Sequence, residues 1–306
     1  VAKVLISGIA GCIGSWVAWH LLSGGHQVVG LDLSGDDHRL ELLGLAGKFP
    51  VHRVDVSDAG ALGELVGRVR PDAVIHLAAL QVPACKARPQ ACARVNVIGT
   101  LNFLELARSE GFPLVYASSA AVFGPDQGRT LGELEGLTPQ NLYGVFKRTG
   151  EEMARIYAQD YGVRSAGFRP YVVYGPGRDV GMTADITLAL LSAARGEPFH
   201  IRFGGKVALQ HASDVARAFI AAALNPPQGA RIYNLRGAVV AVPEIVALIE
   251  RVTETHGLIT HGESPLPIAA DISDAAFQRD YGPFAYKDLE TGFKETLEVW
   301  RAGAHV

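Results

Sequence analysis

The sequence predicts an α/β fold: a doubly wound parallel sheet in the first half, followed by a smaller C-terminal lobe that binds substrate. Three observations predict it. Short apolar runs alternate with helix-period segments through the first half, which is how parallel strands joined by crossover helices read. A glycine-rich turn sits between the first run and the first helical pattern. After Arg169 the texture changes, and loops such as YGPGRDVG and GEPFHIRFGG punctuate shorter elements. The chain divides accordingly into a dinucleotide-binding unit over 1–169 and a mainly substrate-binding unit over 170–306, whose elements can return to the first sheet.

Each element follows from local pattern. The predicted strands are Lys3–Ser7, Gln27–Asp32, Val51–Asp55, Ala73–Leu77, Leu114–Ala117 and Ser165–Arg169, short and mostly rich in Val, Ile and Leu. The predicted helices between them include Ile13–Leu22, Ala61–Val69, Gln90–Ser109 and Asn141–Tyr161. In the third of these, Val95, Ile98, Leu101, Leu104 and Ala107 recur every three residues and read as one apolar face packed on the core. Thr291–Ala302 reads as a last amphipathic helix.

Composition narrows the function classes. Of 306 residues, 48% are hydrophobic and 19% charged, as in a soluble enzyme, and the net charge of −3 gives no electrostatic reason for a nucleic-acid or anionic-membrane partner. No apolar run reaches the roughly 20 residues of a membrane helix. The chain enters a strand pattern at once, with no basic leader, and its three cysteines, Cys12, Cys85 and Cys92, are too few for a disulfide framework or a zinc site. The expectation is a cytoplasmic enzyme without metal.

The chemistry begins at Gly8-Ile9-Ala10-Gly11-Cys12-Ile13-Gly14. Glycines allow a tight turn and let backbone N–H groups approach a pyrophosphate, and the following helix adds the positive end of its dipole. Cys12 and Ile13 lie within this cradle. Asp32 ends the second strand, 18 positions beyond Gly14. A carboxylate there accepts the adenosine ribose hydroxyls and repels a 2′-phosphate. Leu33, Ser34 and Gly35 follow it, with no Arg or Lys close behind, which favours NAD over NADP. Asp55 either reaches the adenine amino group or caps the next helix, a task that suits Ser57 or Asp58 better.

Tyr143 and Lys147 stand four residues apart and share a helix face. A phenol with its ordinary pKa near 10 is a poor base, and a nearby ammonium favours its phenolate. Ser119, after the Leu114–Ala117 strand, can hydrogen-bond the same substrate oxygen. The YxxxK spacing alone is common. Its weight comes from the order of glycine turn, strand-end acid, serine and then YxxxK.

In this order the chain resembles the extended short-chain dehydrogenase/reductases, the NAD-dependent epimerase/dehydratase family. GIAGCIG is similar to the family's GxxGxxG, VIHLAA to its fourth-strand motif, VNVIGTLNFLELA to the next helix, SSAAVFG to SSxxVYG and RPYVVYGPG to RxxNVYGPG. The resemblance implies a Rossmann-type sheet, bound NAD, a Ser119–Tyr143–Lys147 triad and a homodimer formed through two helices per subunit. It implies that Leu77, Ala78 and Ala79 line the cofactor and that Asn96 helps anchor the site. Leu33, Val56 and Pro170 complete the expected cofactor residues. Gln81, Ser118, Ser119, Val172 and Arg178 are the expected substrate residues.

Departures from the pattern speak to the reaction. Family dehydratases and decarboxylases carry acidic residues just after the catalytic Ser or Thr, where this chain has Ala120 and Ala121. Eliminating water needs a positioned acid and base beyond the tyrosine, so dehydrogenation or epimerisation remains. Val172 replaces the asparagine of RxxNVYGP, and Val207-Ala208 stands where nucleotide-sugar members have Arg-Asp. Lost polar contacts point to a sugar-like substrate without a nucleotide, although Arg178, Arg202, Lys206 and Arg231 offer other phosphate ligands, and Arg178 or Arg202 a carboxylate ligand. The first reading is therefore an NAD-dependent dehydrogenase acting on a secondary alcohol. A sugar epimerase, nucleotide-linked or not, is the alternative, and a non-catalytic dinucleotide sensor a third. His211 reads as structural.

Overall fold

The computed structural model describes residues 1–303. In chain order its strands are β1 (Lys3–Ser7), β2 (Gln27–Leu31), β3 (Val51–His52), β4 (Ala73–His76), β5 (Leu114–Ala117) and β6 (Ser165–Arg169). The second half adds β7 (Val172–Tyr174), β8 (Phe199–Ile201), β9 (Lys206–His211), β10 (Ala230–Asn234), β11 (Ala238–Ala241) and β12 (Ile259–His261). Seven of these form one sheet in the order β10-β6-β5-β4-β1-β2-β3, all neighbours parallel. β10 comes from beyond residue 170 and takes the edge beside β6. The chain winds outward from β1 to β3 and restarts at β4, so the topological switch point lies between β1 and β4, where such sheets open a crevice at their carboxyl ends.

Strands covered on both faces read as continuous apolar runs, and β1, β2 and β4 are buried almost throughout. On one face Trp16, Val17 and Leu21 of the helix Cys12–Ser23 pack with Val215 and Phe219 of the helix Ala212–Leu224. On the other, Leu62, Leu65 and Val66 of the helix Ala59–Val69 join Phe103 and Leu104 of the helix Gly99–Glu110. A third core unites β7, β9 and the helices Asp185–Ala194, Val242–Thr253 and Leu289–Gly303 through Val172, Leu190, Val207, Ile249 and Phe293. Two small sheets, β11-β9-β7 and β12-β8, sit in that lobe.

Two elements differ from the sequence expectation. The third strand ends at His52 because Val54, Asp55 and Val56 leave the ladder for the crevice. The long helix expected over Gln90–Ser109 is broken into Pro89–Ala93, a π-helical segment Arg94–Ile98, and Gly99–Glu110. A π segment adds a residue to the helical turn and so rotates the remainder of the helix about its axis. The buried face is consequently Gly99, Thr100, Phe103, Leu104 and Ala107, while Ile98 points to solvent. Cys85 and Cys92 form a disulfide that joins the short helices Val82–Ala87 and Pro89–Ala93, and Cys12 is free.

Buried histidines make stability depend on pH. His76 lies between the Ser7 hydroxyl (2.7 Å) and the Thr100 hydroxyl (3.2 Å), tying β1 and β4 to a helix. Burial, and then the Lys147 charge, lowers its pKa from 6.5 to about 3. Burial likewise lowers His211 to about 3, aided by the Lys287 and Arg217 charges. An unfolded chain takes up these protons below pH 6.5 and the folded one does not, so stability present above pH 6.5 is lost as pH falls from there toward 3. At pH 5 the loss is about 2 kcal/mol per histidine, from ~1.4 kcal/mol per pH unit. The thermal midpoint is expected to fall between pH 7 and pH 5, and His76→Gln to flatten that dependence. An unchanged midpoint would show that the folded state accepts these protons.

Candidate active site

A cavity of about 610 Å³ opens at the carboxyl ends of β1, β2, β4, β5 and β6. The glycine turn forms its floor. Gly8 has a φ of 72°, in the left-handed region that favours glycine. A Cβ there would lie 2.7 Å from the Ala78 nitrogen, and one on Gly14 would lie 2.2 Å from the Gly8 carbonyl oxygen. The turn is therefore packed against both the end of β4 and the first turn of its own helix. That helix begins at Gly11 without a side-chain cap and without an acidic residue in its first turn, which leaves its N–H groups and positive end to an anion. Cys12 and Ile13 line the cavity with the glycines. Burial pushes the Cys12 thiol up to about 11, so it stays protonated.

Asp32 and Leu33 line the cavity beyond β2. The Asp32 carboxylate accepts from the Ala10 N–H (3.0 Å) and the Ser34 N–H (2.9 Å). The sequence has no basic residue close behind it, yet the chain returns Arg39 to the cavity wall. Its guanidinium is already spent: Nη1 donates to the Ala10 carbonyl (3.1 Å), Nε to the Gly177 carbonyl (2.9 Å), and the group pairs with Asp179. Arg39 thus closes the turn against the 175–179 loop and offers no free fork for a 2′-phosphate. Asp55 and Val56 also line the cavity. Asp55 accepts from the Ser57 N–H and hydroxyl, while Asp58 caps the following helix through the Ala61 N–H at 3.0 Å.

Leu77, Ala78 and Ala79 continue the wall after β4. Asn96, expected among the cofactor residues, lies behind this wall and not in it. Its amide accepts from the Leu80 N–H and donates to the Leu80 carbonyl, both at 2.9 Å, which fixes the strand-end loop. The inward turn of Asn96 is set by the π segment, which no spacing rule reveals.

The helix Leu142–Tyr161 starts where the Asn141 side chain accepts from the Gly144 N–H at 2.9 Å. A Cβ on Gly144 would lie 2.1 Å from the Ala121 carbonyl, so this helix seats directly on the turn after Ser119. Tyr143, Ser119 and Lys147 meet in the cavity beside Pro170. Burial raises the Tyr143 pKa, and the Ser119 hydroxyl and then the Arg178 charge oppose it; the Ser119 Oγ itself accepts from the Ala121 N–H at 3.1 Å. Burial lowers Lys147 to about 8. Its ammonium donates to the Ala117 carbonyl at 2.7 Å and lies 5.6 Å from the Tyr143 ring centre. Arg178 supplies positive charge to the phenol.

Gln81, Val172 and Arg178 line the same cavity. Arg178 donates to the Thr183 hydroxyl at 2.9 Å, and its Nε is buried without a partner. Ser118 reaches the cavity edge, but its hydroxyl donates to Glu151 at 2.6 Å. Met182 and Thr183, from a 3-10 turn over Met182–Ala184, and Leu266–Ile268, from a loop, also line the cavity and carry no sequence motif; their return to the site depends on tertiary packing. Arg202 is paired with buried Asp185 away from the cavity, and Lys206 and Arg231 are exposed. Among the described residues no cluster of three His, Cys, Asp or Glu side chains could hold a metal ion, and no helix is long and apolar enough to cross a membrane.

The model of the NAD dependent epimerase/dehydratase family matches residues 4–235, which span the turn, Asp32, the triad and the third core's first strands. The chain belongs to this family. UDP-glucuronate 4-epimerase 2 of Arabidopsis thaliana is 30% identical over 98% of this chain and 76% of its own length. The UDP-glucose 4-epimerase of Thermus thermophilus, solved with NAD, superposes with a TM-score of 0.86 at 24% identity, over 98% of this chain and 99% of that one. MoeE5, solved with UDP-glucuronic acid and NAD, gives 0.83 at 26% identity over 98% and 99%. This epimerase/dehydratase family member is an NAD-dependent enzyme with the extended short-chain dehydrogenase/reductase fold. Its cradle fits the cofactor: Gly8 and Gly14 leave no room for a side chain, and the helix end lacks a competing cap.

Proposed function

We propose that the enzyme epimerises a secondary alcohol carbon of a nucleotide sugar, using NAD that stays bound through turnover. One observation carries the reading: Ser119, Tyr143 and Lys147 share a single cavity with the glycine cradle and Asp32. The relatives described above carry the names of sugar 4-epimerases or are held with UDP-glucuronic acid, which moves the balance from net dehydrogenation to epimerisation. Ala120 and Ala121 follow Ser119, so the second acid–base pair of a dehydration is missing.

NAD held on the Gly8–Gly14 turn and Asp32 would supply a reversible hydride acceptor. The chain's part is proton transfer and orientation. The Tyr143 phenolate takes the proton of the substrate hydroxyl while Ser119 hydrogen-bonds the same oxygen, and the proton is returned after the sugar has presented its other face. Lys147, held on Ala117, keeps positive charge beside the phenolate. Gln81, Arg178 and Thr183 form the polar wall that orients the sugar.

A second reading is a dehydrogenase for a sugar acid without a nucleotide. It is favoured by Val172 and Val207, both buried and apolar where nucleotide-sugar members hold Asn and Arg, and by the unpartnered Nε of Arg178. Incubating the holoenzyme with UDP-glucuronic acid, UDP-glucose, free glucuronate and free glucose separates the two. Epimer without accumulating NADH is the expected outcome. Accumulating NADH with a free sugar acid would replace the epimerase by the dehydrogenase, and turnover of none would remove both. Arg178→Met is expected to raise KM about tenfold for an acidic sugar and to change kcat less, because a charged hydrogen bond is worth ~1.5–3 kcal/mol.

A further inference from the structure

Glu151 lies four residues beyond Lys147 and eight beyond Tyr143, on the same helix face. It does not reach the cavity. Instead it is buried behind it, and four hydrogen bonds saturate its carboxylate. Oε1 accepts from the Ser118 hydroxyl (2.6 Å) and from Arg169 Nε (2.7 Å). Oε2 accepts from Arg169 Nη2 (2.7 Å) and from Arg148 Nη1 (2.9 Å). Arg169 is 0% exposed, and its remaining nitrogen donates to the Glu133 carbonyl and to the Asn234 side chain.

A buried ion pair is a weak source of stability, since apolar side chains of similar volume often do as well. What this pair does is join segments. Ser118 immediately precedes Ser119. Arg169 immediately precedes Pro170, whose carbonyl accepts from the Ala120 N–H at 2.9 Å. Glu151 itself sits on the helix that carries Tyr143 and Lys147. One carboxylate therefore fixes the serine turn, the cavity wall at Pro170 and the Tyr–Lys helix relative to one another.

We propose that Glu151 and Arg169 are positioning residues, which set the register of the Tyr143–Lys147 helix against Ser119 through the Ser118 hydroxyl. The inference rests on the catalytic use of Ser119 and Tyr143 proposed above. Because the Ser119 hydroxyl, which shares the cavity with Tyr143, favours its phenolate, a slipped register has a spectroscopic signature that needs no substrate. Preorganised sites lose rate when donors move by fractions of an ångström.

The test uses the NAD-loaded enzyme. Tyr143 ionisation is read as the ultraviolet tyrosinate signal that disappears in Tyr143→Phe, followed against pH in wild type, Ser118→Ala, Glu151→Gln and the double variant. Ser118→Ala removes one hydroxyl without changing charge, so it keeps the measurement available even where Glu151→Gln folds poorly. It is expected to raise the Tyr143 pKa by about half a unit or more, the direction set by moving the Ser119 hydroxyl away from the phenol. With a substrate in hand, kcat is expected to fall about tenfold and KM to stay within about twofold, and the double variant to lose no more than Glu151→Gln alone, since both cut one link. A Ser118→Ala titration equal to wild type overturns the proposal, whatever happens to the thermal midpoint. So does a raised KM with an unmoved titration, which would put Ser118 on the substrate. Absence of any Tyr143 ionisation in the wild type would overturn the catalytic reading as well.

Discussion

Tyr143→Phe is expected to lower kcat by about 10³-fold or more while the protein keeps its NAD, since general acid–base groups contribute ~10²–10⁴-fold. The substitution removes one oxygen and leaves the ring, whose neighbours Gly144 and Lys147 hold the helix in place. Lys147 keeps its bond to Ala117, and the glycine cradle is untouched. Turnover and cofactor content should therefore separate: the variant copurifies with or titrates to the same amount of NAD and turns over no measurable substrate. Full activity would mean that another group takes the hydroxyl proton. The wild-type pH profile follows from the same contacts. As pH rises toward 8 the phenolate fraction of Tyr143 grows. Above about 8 Lys147 loses its proton, because burial has lowered its pKa to that value, and with it the positive charge beside the phenolate. A rise in kcat below about pH 8 that levels off near that pH is expected, because the growth of the phenolate is then offset by loss of the ammonium, and Lys147→Met should remove that break along with most of the rate.

How much of this was legible depends on how local each feature is. The turn at Gly8–Gly14, the aspartate after β2 and the Tyr143–Lys147 spacing are short-range patterns, and each residue reaches the cavity wall that its motif implies. β1, β5 and β6 end where their apolar runs end. Legibility failed where tertiary contacts chose the outcome. Asn96 faces Leu80 and not the cofactor cavity because a π segment rotates it inward. Arg39 is seven residues beyond Asp32 in sequence, but a short helix (His38–Leu42) turns it back onto Ala10 and Gly177. Leu266–Ile268 reach the site from a loop between distant elements. Glu151 reads as an ordinary helix glutamate until Arg169 and Ser118 are seen around it. The reading of a substrate without a nucleotide rests on Val172 and Val207-Ala208, judged by what they lack. Relatives named as epimerases shift that balance, because a missing contact excludes one way of holding a nucleotide and not every way.

Gly14→Ala is the second large effect, and it acts on binding before chemistry. The added methyl would sit 2.2 Å from the Gly8 carbonyl oxygen and 2.9 Å from both the Cα and the carbonyl oxygen of Ile9. These are backbone atoms, so no side chain can swing aside, and the turn itself must open. Opening it strains contacts on both sides, since the Gly8 N–H donates to the Leu31 carbonyl at 2.8 Å and the space above Gly8 is filled by Ala78. Overpacking of this kind costs roughly 1–3 kcal/mol, which would appear as a lower thermal midpoint in apoenzyme. The larger loss concerns NAD. A pyrophosphate is held by N–H groups at fixed positions on the turn and at the helix end, and a turn displaced by an ångström presents them at the wrong distance. Affinity for NAD is expected to fall by about a hundredfold or more, ~2.7 kcal/mol at ~1.4 kcal/mol per decade. Gly25→Ala provides the control: that glycine has open space at its Cβ position, so its positive φ of 74° costs stability without touching the cradle. Calorimetric titration of NAD into the two apoenzymes separates the cases. Equal affinity in Gly14→Ala and Gly25→Ala would mean that the dinucleotide does not lie on the Gly8–Gly14 turn.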